Sequence, residues 1–145
     1  MATQYTDIYD CFLGKISDYD FVQLDDFTQF TILGGYLKSA IADFEDTCKK
    51  DLEDRNDILA QFNVDLSAKE IEILATGMVV HWLEPRVLNT ENLRNVLNTK
   101  DYSSFSPANL LEQMQTLLST MKKHYRYMLV RYGYRNADLR TMSDE

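Results

Sequence analysis

Apolar side chains recur along this chain at steps of three and four, the spacing of one buried helix face. Ile8, Phe12 and Ile16, with Cys11 alongside, predict a short helix over Asp7–Ile16 with Thr6 as its N-cap. Ser17-Asp18-Tyr19-Asp20 reads as a turn. Phe30, Leu33, Leu37, Ile41 and Phe44 predict a second helix from about Asp25 to Phe44, and Asp25 and Asp26 fall where a helix N-terminus favours negative charge. Gly34-Gly35 interrupts that helix at a cost of about 1 kcal/mol per glycine relative to alanine. Close approach by another helix is the expected reason, because the pair lacks the preceding strand and following lysine of a phosphate loop.

Cys48 to Asp65 is polar and charged apart from Ile58-Leu59 and Phe62-Val64, and it reads as a long loop with or without a short strand pair. Asp51, Glu53, Asp54 and Asp57 resemble calcium ligands, but Arg55 and Asn56 stand where such a loop needs an oxygen ligand and a glycine. Ser67 opens the best-marked helix: its hydroxyl can cap, Glu70 completes a capping box, and Leu66 can staple onto Ile71. Ile71, Leu74, Ala75, Met78 and Trp82 form its buried stripe, and Pro85 is expected to end or kink it near Leu83-Glu84. A short helix from Thr90 then carries Leu93, Val96 and Leu97, and Thr99 to Ser104 is a loop.

Phe105-Ser106-Pro107 repeats the start pattern, with Ser106 as N-cap, Pro107 at the first helical position and Phe105 facing Leu110. Leu110, Met114, Leu117, Met121, Tyr125, Met128 and Tyr132 keep the helical step, implying a helix of about 39 Å at 1.5 Å per residue, with Gly133 as its C-terminal stop. Such a helix outruns a small bundle, so its last turns are expected to project and expose Tyr125, Met128 and Tyr132. Tyr134 to Glu145 then reads as an arm ordered only by a partner. The fold class is therefore all-α: residues 1–133 form a small helical bundle with a long C-terminal helix and room for a short β-hairpin between the second and third helices, and residues 134–145 form an extended C-terminal arm. Ile71, Leu74, Met78, Trp82, Leu110, Met114 and Leu117 are its predicted core.

Composition narrows the class. The 145 residues are 45% hydrophobic and 26% charged, with 5 Gly and 2 Pro, enough for a core that needs no metal or disulfide staple. Cys11 and Cys48 are the only cysteines, too few for a disulfide scaffold and without zinc spacing, so a reducing compartment is expected. No run approaches a membrane span, and Met1 to Asp10 has neither the basic nor the apolar region of a signal peptide. A net charge of −8 argues against general nucleic-acid binding, since phosphate affinity comes from lysine and arginine.

The charge is uneven. Residues 1–72 hold 16 acidic and 6 basic side chains, whereas residues 73–145 hold 7 acidic and 9 basic. Leu118 to Arg135 contains Lys122, Lys123, Arg126, Arg131 and Arg135 with no acid, interleaved with Tyr125, Tyr127, Tyr132 and Tyr134. This pattern reads either as a solvated helix face anchored by tyrosines or as a docking surface, where Tyr and Arg are enriched.

Catalytic raw material is thin. His81 has no companion nucleophile motif, His124 lies in a basic stretch, and no metalloprotease helix, nucleophile elbow, Walker loop or dinucleotide fingerprint occurs. Cys11 falls in an apolar stripe and Cys48 has only Lys49 and Lys50 near it in sequence. No enzyme activity, cofactor or metal is expected.

Ile73-Leu74-Ala75-Thr76-Gly77-Met78-Val79-Val80-His81-Trp82-Leu83-Glu84-Pro85, with Glu91-Asn92-Leu93, Thr99-Lys100-Asp101-Tyr102 and Phe105-Ser106-Pro107-Ala108-Asn109-Leu110-Leu111, resembles the head-to-tail connector (neck adaptor) proteins of tailed bacteriophages of Gram-positive hosts. The resemblance is sharpest over residues 66–118, and Phe12-Leu13-Gly14-Lys15-Ile16 resembles the family's start. It implies a structural virion protein that forms a ring, usually of twelve copies, beneath the portal protein, with tail-side neck proteins below. Genomic DNA would pass through the lumen without sequence-specific binding, and the chain would reside in the virion neck, or in host cytoplasm during assembly. The portal-docking residues expected on this reading are Lys122, Tyr125, Arg126, Arg131, Tyr132, Tyr134, Arg135, Leu139 and Arg140. The alternative from a different class is a small helical regulatory protein that binds a host or phage partner through its Tyr/Arg-rich C-terminal helix.

Overall fold

The chain runs β1 (Thr3–Gln4), α1 (Tyr5–Lys15), α2 (Asp26–Phe44), β2 (Arg55–Asn56), β3 (Gln61–Phe62), α3 (Ala68–Leu97) and α4 (Pro107–Ser143). The computed structural model describes residues 2–16, 26–97 and 107–143, with side chains described for 2–16, 31–89 and 112–135. The expected turn at 17–20, the loop at 99–104 and the Phe105–Ser106 start signal lie outside the described residues, as do the side chains of Phe30, Leu93, Val96, Leu97 and Leu110.

α3 is the central element, with α1, α2 and α4 each packed against it. Its start follows the capping box: Glu70 N–H donates to Ser67 Oγ at 3.2 Å, and Ser67 N–H donates to the Glu70 carboxylate at 2.7 Å. Ile73, Leu74, Ala75, Met78, Trp82 and Leu83 are buried along one side, and Ile71 is half-buried beside them. The Trp82 ring meets Phe12 of α1 edge to face at 6.3 Å, and the Arg86 guanidinium lies 4.3 Å above it. Leu117 packs against the core and Met114 is half-buried.

Residues 55–62 form a hairpin, and β1 joins it to give an antiparallel sheet in the order β1-β3-β2, with Thr3 opposite Phe62 and Arg55 opposite Phe62. The Thr3 hydroxyl seals the joint, donating to the Val64 carbonyl and accepting from Leu66 N–H. This sheet explains one departure from expectation. α1 begins at Tyr5 rather than Asp7, its N-cap is Gln4 without a side-chain bond, and Thr6 does not cap it. Strand pairing holds Gln4 extended, and Tyr5 N–H finds its acceptor in the Ala60 carbonyl at 2.9 Å, so no local cap is required.

Two expected helix stops are also overridden. Pro85 does not end α3, which continues to Leu97 and absorbs the separate helix expected from Thr90. A proline inside a helix costs about 3 kcal/mol; here Pro85 faces solvent while Leu83 and Val87 are buried on either side of it, so packing carries the helix through. Gly133 does not end α4, which remains helical to Ser143, so the extended arm expected from residue 134 is helix instead. Gly133 gives close packing: a Cβ there would stand 3.2 Å from Thr47 Cγ2. Among the described residues the close helix approach expected at Gly34-Gly35 is not found, since a Cβ added at Gly34 would meet only the Tyr9 hydroxyl of α1, at an ordinary 3.7 Å, and one at Gly35 would meet nothing within 4 Å.

Trp82→Ala removes the largest fully buried side chain and should lower unfolding free energy by about 3–5 kcal/mol in denaturant titration. An unchanged midpoint would place the core elsewhere.

Candidate partner-docking surface

α4 has two working faces, and the positions seven residues apart on it separate them. Tyr125 and Tyr132 point inward and are buried. Tyr127, Val130 and Tyr134, on the opposite side of the same turns, are each more than half exposed.

The inward face fastens α4 through two tyrosine hydroxyls. Tyr132 donates to Glu70 Oε2 at 2.6 Å, and its oxygen accepts from Lys49 N–H at 3.0 Å, while its ring meets Phe44 edge to face at 5.0 Å. Glu70 is 2% exposed, and its other oxygen accepts from Ser67 N–H and from Lys50 Nζ at 2.9 Å. Burial alone would raise the Glu70 pKa, but the hydrogen bonds from Ser67 N–H, Tyr132 and Lys50 outweigh it and hold the carboxyl below the ordinary glutamate value. Cys48 lies 3.7 Å from the same carboxylate, and its thiol is pushed up chiefly by burial.

Two turns earlier, Tyr125 donates to Asp43 Oδ2 at 3.1 Å, and the same oxygen faces His81 Nε2 at 2.7 Å. One carboxylate thus joins α2, α3 and α4. Burial, then the Asp43 charge, raises the Tyr125 pKa and keeps the phenol protonated. Its hydroxyl lies over Gly77, where an added Cβ would come within 2.6 Å of the tyrosine oxygen and 3.0 Å of Ala40 Cβ. Gly77 is therefore the close helix approach of this fold. Because Glu70 meets Tyr132 and Gly77 meets Tyr125, α3 and α4 run antiparallel.

These contacts correct the expectation that Tyr125, Met128 and Tyr132 are offered to a partner. Tyr125 and Tyr132 are core residues and Met128 packs partly against the core. Of the remaining expected docking residues, Lys122, Arg126, Arg131, Tyr134 and Arg135 are exposed; Lys122 approaches Glu84 at 3.9 Å, and Arg131 donates to the Tyr127 hydroxyl at 3.0 Å and lies over its ring. Leu139 and Arg140 lie on the helical backbone, their side chains outside the described ones. Val130, not singled out in the sequence, completes an outward stripe with Tyr127 and Tyr134. Beside that stripe, Thr47, Leu129, Val130, Gly133 and Tyr134 line a mainly apolar groove of about 360 Å³.

A second exposed apolar feature is the turn of the hairpin. Ile58 is 95% and Leu59 61% exposed, yet the backbone beneath them is tied down. Asn56 Oδ1 accepts from both Ile58 N–H and Leu59 N–H, Tyr5 donates to Asp57 at 2.6 Å, and Ala60 holds a φ of 54°, a left-handed conformation uncommon for a residue with a Cβ. The fixed turn was not legible in the sequence, where Ile58-Leu59 is only an apolar interruption of a charged stretch.

Among the described residues no three His, Cys, Asp or Glu side chains are grouped as metal donors, and no helix searched is long and apolar enough to cross a membrane. The Cys11 thiol donates to Glu72, which also pairs with Lys15, and burial raises its pKa. Comparison with known proteins finds no matching family model, curated protein or solved structure.

Gly77→Ala should destabilise the domain by about 1–3 kcal/mol through overpacking, although Gly→Ala in a helix ordinarily gains about 1 kcal/mol. Gly35→Ala, whose Cβ would meet none of the described residues within 4 Å, should show the ordinary gain, and thermal melts of the two variants read the opposite signs. Tyr132→Phe should cost about 2–3 kcal/mol at neutral pH, because it removes a bond to a buried charge and strands Lys49 N–H. Glu70 is more acidic folded than unfolded, so its contribution is complete above its unfolded pKa, about 4.3, and is lost as pH falls from there through the folded value. Acid titration of stability should therefore be steeper in the parent protein than in Tyr132→Phe; parallel curves would contradict the role given to Glu70.

Proposed function

We propose that this chain is a structural adaptor of a tailed-phage neck, a ring-forming subunit that links a portal to tail-side proteins. The observation that carries the reading is the second face of α4. Its inward tyrosines complete the domain core, while Tyr127, Val130 and Tyr134, flanked by Lys123, Arg126 and Arg131, remain open on the chain's longest helix. A helix of 37 residues is about 55 Å long at 1.5 Å per residue and continues past Tyr132, its last described buried position. Exposed aromatic and arginine side chains on a rigid helix are the composition of a protein interface.

The portal contact is drawn at the C-terminal end of α4, from Tyr134 and Arg135 onward, where Leu139 and Arg140 fall on continuing helix. Helix-in-groove docking replaces the ordering of a flexible arm, so less conformational entropy is lost on binding. A net charge of −8 suits a subunit past which DNA must move, since the chain as a whole offers no counterion-release gain to phosphate.

Truncation after Gly133 leaves Tyr125 and Tyr132 in place, so circular dichroism should show a folded, helical domain. Particles assembled with the truncated chain should lack it in mass spectrometry and should leak DNA or lack tails. Full incorporation and normal titre would remove the C-terminal end from the portal contact, and absence of the full-length chain from purified particles would overturn the adaptor reading.

A further inference from the structure

Two exposed apolar patches on this chain lie on segments of opposite charge. Of the six large hydrophobic side chains left exposed among the described residues, Ile58 and Leu59 form the hairpin tip and Tyr127, Val130 and Tyr134 form the outward stripe of α4, so all but Leu88 fall in these two places. The tip stands out into solvent and is held by Asn56, Asp57 and Tyr5. The stripe borders a shallow, open and mainly apolar groove of about 360 Å³ lined by Thr47, Leu129, Val130, Gly133 and Tyr134, with room for one or two aliphatic side chains.

Charge differs between the hairpin segment and the α4 side of the groove, while Glu45 and Asp46 beside Thr47 make the groove's other side acidic. Asp51 to Asp65 carries five acids, Asp51, Glu53, Asp54, Asp57 and Asp65, against Arg55 alone, a net of −4. Leu118 to Arg135 carries Lys122, Lys123, Arg126, Arg131 and Arg135 and no acid, a net of +5. The two cannot meet within one molecule in this conformation, since Ile58 stands 95% exposed. We infer that the Ile58–Leu59 tip of one copy seats in the Thr47–Gly133 groove of a second copy, with the acids of the hairpin against the arginines of α4.

The contact joins two different surfaces, so it is head-to-tail: each copy offers a tip and a groove, and repetition gives either a closed ring or an open filament. It rests on the adaptor reading only for closure into a ring. Because the tip is already ordered, little conformational entropy is lost when it docks, and opposite charges steer the encounter and make it weaken with salt.

The test uses complementary variants of the full chain. Leu59→Asp removes the tip and Val130→Asp spoils the groove; both positions are exposed, and circular dichroism confirms folding. Sedimentation of the parent protein at rising concentration should show growth beyond a dimer, and each variant alone should have its self-association weakened by about tenfold or more, as for a hot-spot residue. Mixing the two variants leaves one intact tip facing one intact groove, so the mixture should form a heterodimer and stop there. Arg126→Glu with Arg131→Glu should weaken assembly of the parent chain in the same way and reduce its salt dependence. Variants that assemble like the parent, a mixture that forms no heterodimer, or a parent that stays monomeric or halts at a dimer overturn the contact. The adaptor reading fails separately: head-to-tail assembly of a chain absent from particles sinks the adaptor and keeps the contact, while a particle-borne chain whose variants assemble normally does the reverse.

Discussion

The buried carboxylate of Glu70 is the interaction on which the rest of the structure depends. A charge withdrawn from water is tolerated only when its oxygens are saturated, and the four donors around Glu70 come from separate parts of the chain: Ser67 at the start of α3, Lys50 and Cys48 in the segment after α2, and Tyr132 on α4. Satisfying that one side chain sets the start of α3, the path of the chain between α2 and β2, and the position of α4. Tyr125 on Asp43 repeats the arrangement two turns away with His81 as the third member, and Gly77 leaves room for it. α4 is therefore registered against α3 at two points rather than free to slide along an apolar surface.

That registration has a functional consequence. With its inward side committed to Tyr125 and Tyr132, α4 presents the opposite side at a fixed orientation, and Tyr127, Val130 and Tyr134 become a rigid surface. The hairpin tip is fixed by equivalent means, through Asn56 and Tyr5. Two preformed and unlike surfaces on a small bundle are what a repeating assembly needs, and the proposed neck-adaptor role draws on that economy rather than on any reactive group.

Much of the architecture was legible in the sequence because it is locally encoded. The Ser67–Glu70 capping box, the stripe from Leu74 to Trp82 and the start of α4 at Pro107 each depend on residues within a few turns, and each is found where the spacing puts it. The departures are the places where a distant partner decides. Thr6 is no cap because Tyr5 N–H bonds to Ala60, 55 positions along the chain. Pro85 and Gly133 are no stops because flanking side chains are buried or closely packed. Tyrosine is ambiguous by nature, with an apolar ring and a polar tip, so Tyr125 and Tyr132 read as docking residues until Asp43 and Glu70 are seen to receive their hydroxyls. The seven-residue phase that separates Tyr125 and Tyr132 from Tyr127 and Tyr134 was present in the sequence and would have split the two faces.

Hydrogen–deuterium exchange of the full chain, compared between dilute and concentrated solution, measures most directly whether the inward and outward faces of α4 have these separate roles. The account predicts that residues 56–60 and 127–134 gain protection together as concentration rises, while the amides at the start of α3 are already protected in the dilute monomer and do not change. Protection that appears in only one of those two segments, or that spreads instead through 67–78 as copies associate, would contradict it.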